Sequence, residues 1–147
     1  MIVPDVNLLV YAYDADMALH GPARKWWEEL LSGTTPVGLC WSVMLGFVRL
    51  MTHPDVMENP LRPDTALSHV RQWLEQPCTE IIEPGPRHLD ILSTILGHAG
   101  IAGNLTTDAH IAALAIEYRA ELHSTDRDFG RFPGLRWRNP LGQRGSH

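Results

Sequence analysis

The chain has 147 residues, 44% of them hydrophobic and 20% charged, which fits one globular domain and excludes a disordered or repetitive protein. Its formal net charge of −5 weighs against a broad basic surface for nucleic acid. Only two cysteines occur, so no disulfide framework is expected, and Cys40 and Cys78 are predicted to be core residues. The sequence contains neither a signal peptide nor an apolar run of the roughly 20 residues that a membrane span needs, so we expect a cytoplasmic protein.

The first half of the chain alternates short strands with amphipathic helices. Residues 1–3 predict a strand that Pro4 ends, and Asp5 is placed to cap a helix over Val6–Tyr13. Apolar residues at helical spacing predict a second helix over 22–31. A buried strand over 36–41 follows, and Ser42 is placed to cap a helix over 43–51.

The second half continues this alternation. After a loop over 55–63, Asp64 opens a helix with Leu67 on its apolar face, and Pro77 ends it. A strand over 79–83 precedes a helix that begins at Pro86 and carries Leu89 on its apolar stripe. A turn at 103–104, a helix over 109–118 that is apolar nearly all round, and strands over 120–124 and 135–137 complete the order.

This order of elements predicts an α/β domain with a mainly parallel sheet and helices on both faces. We assign residues 1–141 to this domain and expect a tail over 142–147 that includes vector-derived residues. In such sheets ligands bind beside the carboxyl ends of the strands, so residues that directly follow strands are the first candidates for a site.

Four aspartates satisfy that condition or stand at the start of a helix: Asp5, Asp108, Asp126 and Asp128. Each one alone is explained equally well as a helix cap or a turn residue. Together in one crevice they would repel one another unless a cation or protons neutralised them. Mg²⁺ or Mn²⁺ suits such carboxylates and activates water for attack on a phosphodiester.

Four segments resemble the PIN-domain toxins of VapBC toxin–antitoxin systems, the VapC type. In chain order they read IVPDVN at 2–7, LGFVR at 45–49, GNLTTDAHIAALA at 103–115 and STDRDF at 124–129. The resemblance spans residues 1 to about 141. It implies a PIN-like α/β/α sandwich and a Mg²⁺- or Mn²⁺-dependent endoribonuclease toxin that forms a homodimer and is inhibited by a VapB-type antitoxin.

Carried over by position, the resemblance makes Asp5, Asp108 and Asp126 catalytic and metal-binding, with Asp128 as a further acidic group near the metal. It also implies that polar side chains orient these carboxylates: Asn7 for Asp5, and Asn104 or Thr106 for Asp108. Asn7 is equally consistent with an ordinary helix residue. The family usually has an acidic residue two positions before the Gly-Phe-x-x-Arg run, where this chain has Met44.

The C-terminal end is locally basic, and Arg127 and Arg131 closely follow Asp126. We therefore predict that these two arginines contact RNA phosphates, the alternative being a solvated surface. A PIN-fold module that binds RNA or antitoxin with weak catalysis is the competing hypothesis, because of Met44. A phosphatase with Asp5 as nucleophile is disfavoured, since Asn7 stands where its second aspartate belongs. His110 is interpreted as a core residue, and no serine-nucleophile motif occurs.

Overall fold

A computed structural model describes residues 1–98 and 103–142, with the side chain of Asn104 outside the description. Within these residues the strands are β1 (Ile2–Pro4), β2 (Val37–Leu39), β3 (Thr79–Ile81), β4 (Glu121–His123) and β5 (Arg136–Arg138). The helices are α1 (Val6–Tyr13), α2 (His20–Leu31), α3 (Trp41–Met51), α4 (Pro63–Leu74), α5 (His88–Leu96) and α6 (Thr106–Glu117). Short 3₁₀ helices occupy Gly103–Leu105 and Arg127–Arg131.

The five strands form one sheet in the order β3-β2-β1-β4-β5, and every neighbouring pair is parallel. The predicted α/β class with a mainly parallel sheet is therefore confirmed. The chain moves outward from β1 to β2 and β3, then returns to place β4 on the other side of β1. The carboxyl ends of β1 and β4 consequently form the switch point where ligands of such sheets bind.

The direction of the strand connections explains the layers. Crossovers between parallel strands are almost always right-handed, so the helices of the outward path and those of the return path lie on opposite faces. The packing agrees with this, because α1 contacts α2 and α3, α3 contacts α4, and α5 packs separately against α6. The result is the α/β/α arrangement that the sequence predicts.

The core is aliphatic around α6 and aromatic between α1, α2, α3 and α4. Helix α6 buries consecutive residues from Ile111 to Ala115, as expected of a helix that is apolar nearly all round. On the opposite face, Phe47 and Trp73 meet edge to face with ring centroids 4.7 Å apart. Each such side chain contributes on the order of 2 kcal/mol through burial. Cys40 is buried and Cys78 packs against the core, as predicted.

Several boundaries and faces differ from the sequence-based expectations. Helix α3 begins at Trp41 and has Cys40, not Ser42, at its N-cap position, because the Met44 amide already bonds the Cys40 carbonyl. Leu67 and Leu89 are 50% and 74% exposed, so neither belongs to the buried stripe of its helix. Ala66 takes the inward position beside Leu67, and His88 takes that beside Leu89.

None of the helices within 1–98 and 103–142 is long and apolar enough to cross a bilayer. The chain end beyond residue 142 lies outside the described residues, so the assignment of a separate tail stays a prediction.

Candidate active site

Asp5 is the most buried carboxylate of the site, with 2% of its surface exposed. It directly follows β1 and occupies the N-cap of α1, where its Oδ1 accepts a hydrogen bond from the Val6 amide at 2.8 Å. Its own backbone N–H donates to the carbonyl of His123 at 2.9 Å. The predicted cap is thus confirmed, and the same side chain is held at the edge where β1 and β4 end.

Ser124 joins the ends of the two central strands. Its hydroxyl donates to Asp5 Oδ2 at 2.8 Å and accepts from the Asp126 amide at 3.0 Å. The residue is fully buried, and the Trp137 indole donates to its carbonyl at 3.0 Å. Sequence reasoning assigned no role to Ser124, although its position directly after β4 and two residues before Asp126 was the available signal.

Asp126 and Asp128 lie in the turn that follows β4. The Asp126 side chain caps the 3₁₀ helix Arg127–Arg131 by accepting from the Asp128 amide at 2.9 Å. Both aspartates are half-buried, whereas Arg127 and Arg131 are exposed. The Nη1 atom of Arg131 lies 3.5 Å from Oδ1 of Asp128. The turn therefore presents two carboxylates and two guanidinium groups beside one another.

Asp108 reaches the same crevice from the first turn of α6. Burial raises its pKa, and the charges of Asp5, Asp126 and Asp128 raise it further, to about 6. Burial also raises the pKa of Asp5, with a smaller contribution from Asp126, while hydrogen bonds from Ser124 and Val6 oppose the rise. The four aspartates singled out in the sequence thus lie close enough for each other's charge to matter.

Among the described residues, no hydrogen bond is seen between these carboxylates and the polar residues predicted to orient them. Asn7 is half-buried in the first turn of α1, but within the described part of the chain both hydrogen-bonded Asp5 oxygens are served by Val6 and Ser124. Thr106 is exposed at the first residue of α6. The side chain of Asn104 lies outside the described residues. Ser124 thus orients Asp5, and the roles of Asn7, Asn104 and Thr106 stay predictions.

Met44 lies in the protein interior. It is 1% exposed and belongs to the hydrophobic core. By contrast, Gly46 on the same helix approaches the cap of α1, since a Cβ added there would lie 3.3 Å from Val6 Cγ2. The position where the family usually has an acidic residue is therefore occupied here by a buried apolar side chain.

The donor atoms do not form a preassembled cage. Across residues 1–98 and 103–142, no three His, Cys, Asp or Glu side chains are grouped so as to hold a metal ion. His110, on α6, is half-buried. Its Nδ1 lies 2.9 Å from Nε2 of His88, within hydrogen-bond distance. This agrees with its interpretation as a packed, hydrogen-bonded residue.

Comparison with known proteins agrees with this architecture. Residues 2–135 match the family model described as PIN domain. Ribonuclease VapC33 of Mycobacterium tuberculosis is 45% identical over 141 residues, which cover 96% of this chain and 99% of that protein. Ribonuclease VapC37 of the same species is 42% identical over 140 residues, covering 95% and 97%.

Solved structures support the fold at much lower sequence identity. The VapBC2 structure from Rickettsia felis, bound to a promoter DNA fragment, aligns with a TM-score of 0.68 at 20% identity, covering 95% of this chain and 98% of that one. The sarcin-ricin loop cleaving toxin VapC20 of Mycobacterium tuberculosis aligns with a TM-score of 0.66 at 16% identity, covering 92% and 99%.

A parallel sheet with aspartates at its switch point and a match over 2–135 define the class, and the chain belongs to the PIN domain family. Within that family it is a VapC-type chain, the ribonuclease toxin of a toxin–antitoxin pair.

Proposed function

We propose that this chain hydrolyses RNA phosphodiesters with the help of Mg²⁺ or Mn²⁺ held by Asp5, Asp108, Asp126 and Asp128. The observation that carries the proposal is the crevice itself, in which the charges of Asp5, Asp126 and Asp128 help to raise the pKa of Asp108 and the charge of Asp126 helps to raise that of Asp5. Such mutual repulsion is stable only where protons or a cation offset it.

The donor chemistry fits a hard divalent cation. Carboxylate oxygens are the ligands that Mg²⁺ and Mn²⁺ prefer, and Mg²⁺ commonly keeps several waters while binding only one or two protein carboxylates. A closed cage of three side chains is therefore not required. When bound, the ion would supply an acidified water and charge stabilisation for the leaving oxygen.

Neighbouring groups orient the carboxylates of the site, and the carboxylates supply its negative charge. Ser124 and the Val6 amide fix both oxygens of Asp5, so this carboxylate has one orientation. Asp126 is held by the hydrogen bond that its Oδ1 accepts from the Asp128 amide. Asp108, with a pKa of about 6, exchanges a proton near neutral pH in the absence of a cation. Asp5 and Asp126 are therefore oriented before a cation binds, although the carboxylates of the described residues do not form a closed cage.

Arg127 and Arg131 are the groups that we assign to RNA. Both are exposed on the 3₁₀ helix that Asp126 caps, directly beside the carboxylates. Guanidinium groups bind phosphate oxygens in a bidentate manner, so these side chains would hold the phosphates that flank the scissile one. We infer a single-stranded or looped RNA substrate, because unpaired RNA can splay its bases out and present its backbone to a protein.

Partner proteins follow from the kind of protein this chain resembles. The structures named VapBC contain a VapB protein together with VapC, and we propose a VapB-type antitoxin as the natural inhibitor here.

We also propose a homodimer, because Trp41 and Leu45, one turn apart on α3, are 46% and 58% exposed. Large apolar side chains on one exposed helix face are typical of an interface. We propose a cytoplasmic location for this complex, because RNA is its proposed substrate.

A PIN-fold module with weak catalysis is the second candidate. The observation that favours it is Met44, buried in the core where the family usually has an acidic residue. A protein of this kind would bind RNA or antitoxin normally and hydrolyse RNA slowly even with saturating Mn²⁺.

The deciding experiment measures cleavage of labelled RNA by the purified chain with Mg²⁺, Mn²⁺ or EDTA. We expect cleavage with either ion, none with EDTA, and a loss of at least about a hundredfold in the Asp5→Asn and Asp126→Asn variants, because a metal-site charge is removed. Asp55→Asn, at an exposed loop position, is the matched control and should cleave like the parent.

The Asn variants retain the shape and capping capacity of aspartate, so their melting curves should stay close to that of the parent. Undiminished cleavage in both variants would refute the metal assignment. Normal RNA binding with no cleavage in the parent under either ion would instead support the weakly catalytic module.

A further inference from the structure

A cavity that we call the Trp26 cavity lies between α2, the ends of β4 and β5, and the chain that follows β5. It has a volume of about 490 Å³, and none of the four aspartates lines it. Small-molecule sites commonly have volumes of about 300–1,000 Å³, so the cavity is large enough for one nucleotide. Its walls combine charged and apolar side chains, among them Lys25, Trp26, Glu29, Arg138, Pro140 and Leu141.

Two cations of the Trp26 cavity are unpaired. The side chains of Lys25 and Arg138 are exposed, and within the described residues neither has an ion-pair or hydrogen-bond partner. By contrast, Arg24 on the same helix is paired with Glu28 at 2.9 Å. Glu29 is the one carboxylate among the described residues that lines the cavity. Two cations against one carboxylate leave the lining positive, in a chain whose formal net charge is −5.

Trp26 is held in the cavity wall by a chain of hydrogen bonds. Its indole Nε1–H donates to Nδ1 of the buried His123 at 3.1 Å, and His123 Nε2–H donates to Glu121 Oε1 at 2.7 Å. Burial lowers the pKa of His123, the hydrogen bond to Glu121 opposes this change, and the charge of Arg138 adds to it. The imidazole is therefore neutral near pH 7 and adds no charge to the cavity. The half-buried indole presents a fixed apolar surface in the same cavity as the two cations.

The Trp26 cavity lies beside the aspartate crevice at the edge of the sheet. Arg138, His123 and Pro4 are in register across β5, β4 and β1, so about 10 Å separates Arg138 from Pro4 at the usual strand spacing. Pro4 directly precedes Asp5. The carbonyl of Arg138 accepts from the Ser124 amide at 3.1 Å, and the Ser124 hydroxyl in turn donates to Asp5. An RNA strand in the crevice would therefore reach the cavity with its neighbouring nucleotides.

We propose that the Trp26 cavity binds one nucleotide of the RNA, on one side of the bond that is cleaved. Lys25 and Arg138 hold its phosphate, because ammonium and guanidinium groups bind phosphate oxygens. Its base packs against Trp26, since every base has a flat π-face. This inference rests on the proposed RNA substrate and adds a second place, besides Arg127 and Arg131, where the protein holds the strand.

An acidic peptide would satisfy the same two cations, but two observations favour RNA. The cavity and the crevice share one sheet edge, so a single strand can occupy both. The apolar wall and the cations lie in one cavity, which suits a base joined to a phosphate. An acidic peptide is therefore the competing ligand in the test.

The first measurement is fluorescence anisotropy with the full chain in EDTA, where no cation supports hydrolysis. The probes are labelled oligouridylate and oligoadenylate of about eight nucleotides, within the usual size of single-strand sites, and labelled hexaglutamate. We expect Lys25→Ala and Arg138→Ala each to weaken RNA binding by about two- to fivefold, as for exposed charges. Each should also flatten the slope of log affinity against log salt by about 0.7. Arg138→Lys retains the charge and should retain most of the affinity.

Arg71→Ala and Glu75→Gln are the matched controls, because both residues are exposed and neither lines the cavity. Arg71→Ala removes the same charge as Lys25→Ala and should bind RNA nearly like the parent. Glu29→Gln removes the acid of the cavity wall and should tighten RNA binding by about twofold, whereas Glu75→Gln should not. These pairs separate the local charge of the cavity from the net charge of the chain.

A second measurement locates the bound RNA through the indole signals of the ¹⁵N-labelled chain. The signal that disappears in Trp26→Phe is that of Trp26, and we expect it to move when oligouridylate is added to the parent. The signal of Trp73, assigned in the same way, should stay in place, because this side chain is buried in the core and bonded to Tyr13.

The outcomes distinguish this inference from the proposed hydrolysis. Parent-like RNA affinity and salt slope in both Lys25→Ala and Arg138→Ala would overturn the cavity as an RNA site and leave the hydrolysis standing. Hexaglutamate binding with the same dependence on these two residues would assign the cavity to an acidic peptide instead. A parent that binds neither RNA probe would overturn both proposals. Weakened RNA binding in the cavity variants, with no cleavage by the parent in Mg²⁺ or Mn²⁺, would support the cavity and refute the hydrolysis.

Discussion

At the scale of single residues, Ser124 connects what the two central strands contribute. Its hydroxyl is both donor and acceptor, to Asp5 at 2.8 Å and from the Asp126 amide at 3.0 Å. A serine is the smallest side chain with both capacities. The orientation of Asp5 relative to Asp126 therefore depends on one buried oxygen atom.

We predict that Ser124→Ala lowers kcat while leaving RNA affinity nearly unchanged. The variant should also unfold more easily, by about 1–3 kcal/mol, because the Asp126 amide and one Asp5 oxygen lose a buried partner. Urea unfolding and single-turnover cleavage measure the two effects. Thr125→Ala, one residue further on, is the control, and equal losses of kcat in both variants would contradict a specific role for Ser124.

The raised pKa of Asp108 predicts how stability depends on pH without metal. The pKa of Asp108 in the folded state is about 6 against an ordinary value of 3.8, so the folded state binds more protons between these values. Stability from this residue is fully present below about pH 4 and is lost as pH rises through 6. Asp108→Asn should therefore match the parent near pH 4 and exceed it in stability at pH 7.

Thermal melts of both proteins in EDTA across this pH range measure that difference. Saturating Mg²⁺ should stabilise the parent at pH 7 more than the variant, because the cation offsets the repulsion that the substitution removes. A parent that stays more stable than Asp108→Asn at pH 7 in EDTA would show that repulsion among the aspartates is not the dominant effect.

At the scale of elements, the sequence was most informative where a local rule and the tertiary fold agree. Asp5 predicts the start of α1 because capping is a local interaction, and continuous apolar character predicts the burial of α6. The predicted Ser42 cap was wrong because burial of Cys40 continues the strand into the helix without a polar cap. Ser124 was missed because its role is a contact between residues 119 positions apart.

Helix α3 also shows why a family pattern does not give a side chain's direction. Met44 is 1% exposed and Leu45 is 58% exposed, although they are neighbours. One residue rotates a helix by about 100°, so a register error of one or two positions moves a side chain between core and solvent. The position read as a missing ligand is a core position.

We predict that Met44→Glu destabilises the protein by several kcal/mol, about 3 or more, since a carboxylate would be buried without a partner. It should not tighten Mn²⁺ binding. Leu67→Glu, the same kind of change at an exposed position of α4, should leave the melting temperature nearly unchanged. Calorimetric Mn²⁺ titration and urea unfolding of both variants test this, and tighter metal binding by Met44→Glu would place that residue at the crevice after all.

At the scale of the whole molecule, charge and topology act against each other. The chain carries a formal net charge of −5, and the fold gathers four aspartates at the sheet edge where we propose that RNA binds. The return of the chain from β3 to β4 also places the 3₁₀ helix with Arg127 and Arg131 at this edge. In the proposed function, Arg127 and Arg131 would therefore attract RNA to a protein whose net charge repels it.

This balance predicts a small but measurable salt dependence of RNA binding. Each phosphate neutralised on a single strand contributes about 0.7 to the slope of log affinity against log salt, so Arg127→Ala and Arg131→Ala should each flatten the slope by about that amount. Arg71→Ala, exposed on α4 away from the crevice, should leave the slope unchanged.

The measurement is fluorescence anisotropy of labelled RNA between about 50 and 200 mM salt. All variants carry Asp5→Asn as well, which prevents cleavage. Arg131 already pairs with Asp128, so its loss should reduce affinity less than the loss of Arg127. Equal slopes in all three variants would return both arginines to the solvated surface.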